Sequence, residues 1–110
     1  MNFLKENFRN IVLSHILEFE ISYVTAKMQL TAETVQELKR RILILLFDYY
    51  NIISLFENDE KIKKEKFDSI KQFEDNILRL PIYWDSLDEI KTIYTQIIKR
   101  ISEYLFEREI

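Results

Sequence analysis

The side chains best suited to chemistry in this chain are few, and the only histidine, His15, comes first among them. A Ser-His-Asp triad needs a histidine that an aspartate orients and that faces a serine. A zinc site cannot be assembled from one histidine and no cysteine without relying on carboxylates. His15 falls among apolar residues at helical spacing. We therefore predict a core histidine whose ring is satisfied by hydrogen bonds, rather than a catalytic base.

Other patterns that support catalysis or cofactor binding are absent from the sequence. Phosphate-cradling loops need glycine, and the chain contains none. Di-iron bundles place Glu-x-x-His on two helices, whereas here Val12 stands three residues before the single histidine. The 19 acidic residues make chance carboxylate pairs inevitable, and on amphipathic helices we interpret these pairs as solvated faces. We predict a non-enzymatic protein with no catalytic residue, no cofactor and no metal.

One short stretch nevertheless matches a catalytic signature. Residues 8 to 15, "FRNIVLSH", resemble the Arg-polar-x-His motif of the HEPN-type helical ribonucleases. The resemblance implies that Arg9 and His15 cut RNA or bind nucleotides, often across a dimer. It covers only Arg9, Asn10 and His15, and it departs in position, since the family motif lies late in the domain. On a continuous helix Arg9 and His15 would also point about 120° apart. A HEPN-like RNA- or nucleotide-binding domain is kept as an alternative hypothesis.

The elements that must position these residues are long helices. The chain has 110 residues, of which 47% are hydrophobic, with no glycine and one proline. This length is that of one domain, residues 1–110, and a chain without glycine is poorly suited to the tight turns of a sheet protein. Apolar residues recur at helical spacing in four segments. Short links between long helices favour antiparallel neighbours, so we predict an all-α, antiparallel up-down-up-down four-helix bundle.

The helix boundaries are predicted from capping residues and from the proline. The first helix covers roughly residues 3 to 28. Thr31 or Thr34 precedes the second helix, and Thr34 and Glu37 have capping-box spacing. Asn58 or Asp59 precedes the third helix, and Pro81 follows it. Ser86 and Glu89 have capping-box spacing at the start of the fourth helix.

The first two helices carry more apolar surface than one core requires. A second stripe on the first helix consists of Leu13, Leu17, Ile21, Val24 and Met28. On the second helix, Leu43, Phe47 and Tyr50 stand nearly opposite the core-facing seam. Together they predict an apolar patch of several hundred Å², the size that usually marks an interaction site. The simplest partner is a second copy of the chain, giving a homodimer. In the alternative interpretation, the second helix lies in the middle of an irregular bundle and these residues are core.

Two other surface features bear on partners. Tyr83 and Trp84 follow the proline, and they either cap the end of the core or act as anchors for a partner. The lysines of residues 61–66, "KIKKEK", alternate with glutamates and are interpreted as a solvated, salt-bridged face. The formal net charge of −3 gives no global field that would attract nucleic acid, so no nucleic-acid partner is expected.

Together these observations predict a small non-enzymatic helical binding protein that acts through protein–protein contacts. This form is common among small regulators, inhibitors and the accessory proteins of viruses and mobile elements, which is an analogy of fold and size. A toxin-immunity or antitoxin-type protein is a further alternative, although no diagnostic motif of bacteriocin immunity proteins is found. The sequence shows no signal peptide and no apolar run of the roughly 20 residues that span a membrane. We therefore expect a soluble, cytoplasmic protein without membrane contact.

Overall fold

Four helices make up the part of the chain that the computed structural model describes, residues 2–106. They are α1 (Asn2–Met28), α2 (Ala32–Phe56), α3 (Glu60–Arg79) and α4 (Trp84–Leu105). No strand occurs within these residues. The prediction of an all-α fold with four long helices is confirmed, and the arrangement is consistent with a four-helix bundle.

The second helix, α2, lies at the centre of the packing and contacts each of the other three helices. It buries ten of its 25 residues, whereas α3 buries only Phe73 and Ile77 of its 20. The apolar core is therefore built around α2. The α2 side chains in this core are Leu38, Ile42, Leu45, Leu46, Tyr49, Ile52 and Ile53.

Contacts near the helix ends show how α1 runs relative to its neighbours. Phe8, near the start of α1, packs edge-on against Phe56 at the end of α2, with ring centroids 6.0 Å apart. Arg9, on the same turn, donates a hydrogen bond from Nε to the carbonyl of Leu105 at the end of α4, at 2.5 Å. Helix α1 is thus antiparallel to both α2 and α4.

Helix α3 is tied to α2 at both of its ends. The buried ammonium of Lys39, near the start of α2, donates to the carbonyl of Leu80 just beyond α3, at 2.5 Å. At the other end, the rings of Tyr50 and Phe67 lie 4.7 Å apart. A cation at a helix C-terminus is favourable because the last carbonyls carry partial negative charge. The up-down-up-down order stays a prediction, and these antiparallel contacts agree with it.

Side chains cap the second and third helices, as the sequence suggests. Thr31 has an extended backbone and is the N-cap of α2, where Thr31 and Thr34 accept hydrogen bonds from each other's backbone N–H. The capping box thus pairs Thr34 with Thr31 and not with Glu37, because the helix already begins at Ala32. Asp59 caps α3 by accepting hydrogen bonds from the N–H groups of Lys61 and Ile62.

The start of α4 differs from the prediction. The helix begins at Trp84, two residues before Ser86, with Tyr83 in the N-cap position and no side-chain cap. Ser86 is buried and not available as an exposed N-cap. The Tyr83 and Trp84 side chains remain 65% and 57% exposed, so they do not close the end of the core.

Tyr104 joins three segments through its hydroxyl group. The hydroxyl donates to Oε1 of Glu57 at 2.6 Å and accepts from Nζ of Lys66 at 2.7 Å. The hydrogen bond from Tyr104 lowers the pKa of Glu57. Burial, followed by the Glu57 carboxylate, raises the pKa of Tyr104. The end of α2 is thereby linked to the first turns of α3 and the last turn of α4.

Replacing Tyr104 by phenylalanine removes both hydrogen bonds while keeping the ring. We expect the free energy of unfolding to fall by about 1–2 kcal/mol and the pKa of Glu57 to rise toward its ordinary value. Chemical denaturation and an NMR titration of the Glu57 carboxyl measure these two effects. The matched control is Tyr83→Phe, because the Tyr83 side chain is mostly exposed. Equal stability losses in the two variants would contradict the linking role of Tyr104.

Candidate interaction surfaces

The outer side of α1 carries a row of exposed apolar residues, here called the α1 face. Its members are Leu13, Leu17, Ile21, Val24 and Met28, with exposures from 51% to 81%. The opposite side of the helix enters the core through Val12, Phe19 and Ala26, none of which is exposed. The second stripe predicted on the first helix therefore lies in solvent in the single chain, and its role as an interface stays a prediction.

The α1 face points away from α2 and towards the α4 side of the bundle. The edge of α1 that meets α2 carries His15 and Glu18, which contact Asp48 and Arg41. The edge that meets α4 carries Glu20, whose carboxylate lies 3.1 Å from Nζ of Lys91. At about 100° per residue around the α1 axis, the centre of the α1 face lies past Glu20, further from the core-facing side of the helix. It therefore lies on the far side of the helix from α2.

The three residues predicted on the second helix occupy a different surface. Leu43 is half-buried and packs against the core, while Phe47 and Tyr50 are 62% and 44% exposed. With Leu46, and with Ile70 and Glu74 of α3, they line a groove of about 310 Å³, here called the α2–α3 groove. The structure thus divides the predicted patch into two separate surfaces, the α1 face and this groove.

The α2–α3 groove is apolar except at one position. Five of its six lining residues are aliphatic or aromatic, and Glu74 is the only charged one. Glu74 is exposed, and no ion pair with it is found among residues 2–106. The groove can therefore receive apolar side chains next to a positively charged one.

His15 has the hydrogen-bond partner that a core histidine requires. Its Nδ1 lies 2.5 Å from Oδ2 of Asp48, a residue that is 5% exposed. Burial raises the pKa of Asp48, while the hydrogen bond and the charge of His15 act in the opposite direction. This pair fixes α1 against α2, and within residues 2–106 no serine hydroxyl is hydrogen-bonded to His15. The sequence pattern predicts no partner for Asp48, although an aspartate within such an apolar helix is a signal of a buried polar contact.

Arg9 and His15 have separate partners on different helices. Arg9 bonds the Leu105 carbonyl and lies over the ring of Phe106, 5.9 Å from its centroid. His15 bonds Asp48 on α2. The two residues named by the HEPN resemblance are therefore not brought together in one pocket, as their 120° separation on the helix predicts.

The lysines of residues 61–66 make contacts of the kind predicted for a solvated face. Lys63 lies 3.8 Å from the carboxylate of Glu60. Lys66 bonds Tyr104 and approaches the Glu57 carboxylate to 4.0 Å. Lys61 and Lys64 are exposed. The cluster is thus partly engaged in intramolecular contacts that anchor α3.

No metal-binding group or membrane-spanning helix in the described part of the chain, and no similar protein, was found that would indicate a function. Within residues 2–106 no group of three or more histidine, aspartate and glutamate side chains is placed to hold a metal ion. None of the helices in that range combines the length and apolar character needed to cross a membrane. No protein-family model matches the chain, and searches of curated proteins and of solved structures found no match either. The functional argument therefore depends on the surfaces described above.

The His15→Leu variant tests the buried pair. Without the imidazole, burial alone acts on the Asp48 carboxyl, so its pKa should rise further. A raised pKa in the folded state means that stability is lost as the pH rises through that pKa. The variant should therefore lose more stability relative to the wild type at pH 7 than at pH 4. An NMR titration of the Asp48 carboxyl measures the shift, with Glu57 as the internal reference. An unchanged Asp48 titration would show that His15 does not act on this carboxyl.

Paired substitutions in the α2–α3 groove test whether it is surface or core. Phe47→Glu should change the free energy of unfolding by less than about 0.5 kcal/mol, because an exposed side chain is replaced. Leu43→Glu should cost about 1–3 kcal/mol, because a carboxylate would enter the edge of the core. Chemical denaturation of both variants gives the comparison. A Phe47→Glu protein as unstable as Leu43→Glu would mean that this side of α2 is core.

Proposed function

We propose that this chain is a small non-enzymatic binding protein that acts through protein–protein contacts and associates with a second copy of itself. The observation that carries this proposal is the α1 face, in which five large apolar residues in a row are each more than half exposed. From Leu13 to Met28 the face extends over about 22 Å at 1.5 Å per residue. A continuous apolar stripe of this kind marks an interaction surface, whereas scattered apolar residues need no explanation.

The size of the α1 face suits a homodimer. Burying roughly 600 Å² of apolar surface gives about 15 kcal/mol of gross stabilisation. A standard interface covers about 800 Å² per partner, which the α1 face and its polar margins approach. Association entropy and side-chain ordering remove much of the gross energy, which leaves affinities in the micromolar to nanomolar range. A second copy is the simplest occupant because a two-fold axis brings the same patch into the interface twice.

The α2–α3 groove provides a second contact, for a different protein. Its apolar floor and the single carboxylate of Glu74 match a helix that presents large apolar side chains beside a lysine or arginine. Such helix-in-groove binding uses residues spaced three and four apart. A dimer formed through α1 leaves this groove open, since the two surfaces lie on different sides of the bundle. The regulator or inhibitor function would then operate through this groove.

The other functions receive less support. A HEPN-like activity needs Arg9 and His15 at one site, and each is bound to a different helix. A toxin-immunity or antitoxin role is a special case of the proposed function, because such proteins also work by covering another protein. The identity of a co-purifying partner decides between that role and other regulators.

The double variant Leu17→Glu with Ile21→Glu tests the proposed interface. Two carboxylates at the centre of the α1 face would be buried without partners in a dimer, so association should weaken at least a hundredfold. Helix content should be unchanged, because both side chains are exposed in the single chain. Sedimentation velocity and circular dichroism measure the two properties.

A charge-matched control is Gln36→Glu with Gln72→Glu, at exposed positions of α2 and α3. This control should associate as the wild type does. If the double variant Leu17→Glu with Ile21→Glu dimerised as well as the wild type, the α1 face would not be the interface.

A further inference from the structure

We infer that the two copies pair through their α1 faces in antiparallel directions, about a two-fold axis close to Ile21, with Trp84 at the edge of the interface. This inference rests on the proposed function, since it specifies the geometry of that dimer. It assigns to each residue of the α1 face a definite neighbour in the second copy. It also gives a role to the exposed tryptophan.

The spacing of the α1 face is symmetric about its own centre. Leu13 and Met28 are equally far from the midpoint between residues 20 and 21, and so are Leu17 and Val24. An antiparallel pair centred there places Leu13 opposite Met28 of the second copy. It likewise places Leu17 opposite Val24, and Ile21 next to the Ile21 of the second copy. Every apolar residue of the face then meets another apolar residue.

The helix dipoles favour this direction over a parallel pair, and the side-chain charges beside the α1 face are compatible with it. Lys27 lies beside the α1 face, on the side towards α4, where its Nζ is 5.6 Å from the ring centroid of Tyr23. In the antiparallel pair the two Lys27 side chains are about 20 Å apart along the axis, beyond the Debye length of about 8 Å at physiological salt. The two Glu20 carboxylates come to the same level, and each is paired with Lys91 of its own chain at 3.1 Å. Antiparallel helices also bring opposite ends of their dipoles together.

The packing of α4 on α1 brings Trp84 to this surface. The rings of Phe19 and Tyr94 stack at 3.9 Å, and Glu20 pairs with Lys91, so the start of α4 lies beside the end of α1. Trp84 is seven residues before Lys91, about two turns, and thus lies on the same α1-facing side of α4. It stands near the level of Met28 and is 57% exposed. In the antiparallel pair Trp84 lies close to Leu13 of the second copy.

Disulfide cross-linking tests the register, because the chain has no cysteine of its own. A disulfide needs Cβ atoms about 3.5–4.5 Å apart. Ile21→Cys should therefore link to itself under mild oxidation. Leu13→Cys and Met28→Cys should link to each other at least ten times faster than either links to itself, because the two Leu13 positions are about 22 Å apart in this dimer. Gln72→Cys on the exposed side of α3 reports the rate of random collision. Non-reducing electrophoresis measures all five rates.

The tryptophan gives a second readout, since Trp84 is the only one in the chain. Its fluorescence should shift to shorter wavelength as the protein concentration rises through the dissociation constant, because the indole leaves water. The shift should be absent in Leu17→Glu with Ile21→Glu. A concentration-independent spectrum in a protein that dimerises would overturn the place given to Trp84.

Sedimentation of the same samples separates the two claims. A dimer in which Leu13→Cys links to itself as fast as Ile21→Cys is a parallel pair, which overturns this inference and leaves the proposed function intact. A dimer that shows only the collision rate at all three α1 positions uses another surface, which also overturns it. A wild type that remains monomeric at every concentration rejects the proposed homodimer, and the inference with it.

Discussion

Burial of α2 among three other helices is the constraint on which the rest of the structure depends. Lys39 and Asp48 are the charged residues that α2 buries, and a buried charge without a partner is costly. Asp48 is met by His15 of α1, and Lys39 by the carbonyl of Leu80 after α3. The two polar contacts therefore locate α1 and α3 on α2, while the apolar seam supplies the bulk of the packing.

The exposed surfaces follow from this arrangement. Helix α1 packs between α2 and α4 and needs only one side for the core, so its second apolar stripe has no neighbour within the chain. Helix α3 buries only Phe73 and Ile77, so it packs less extensively on α2 and leaves a groove over Leu43. The apolar residues in excess of the core are thus collected on two sides of the bundle. A protein that functions through contacts with other proteins needs surfaces of this kind.

Much of the fold could be predicted from the sequence, because helical periodicity and capping are local properties. The absence of glycine indicates helices rather than a sheet, the N-caps Thr31 and Asp59 mark the starts of α2 and α3, and Pro81 marks the end of α3. The sequence places the start of α4 too late, because Ser86 resembles an N-cap, whereas in the fold it lies in the first turn of α4 and is buried. A capping pattern does not reveal which residues tertiary packing will cover.

The surfaces were only partly predictable for the same reason. A helical wheel shows that Leu17 and Phe47 lie off the core-facing arc of their own helices. It does not show which neighbour covers each flank, so it cannot tell one joint patch from two separate ones. The pairing of His15 with Asp48 could not be predicted from the sequence either, since it depends on the register between α1 and α2.

The most direct test of this account is the mass of the wild-type protein in solution, measured by light scattering behind a sizing column over a wide concentration range. The account predicts twice the 13.5 kDa mass of one chain, with dissociation only at micromolar concentrations or below. A mass of one chain throughout the range would contradict it, and the α1 face would then need a different protein as its partner.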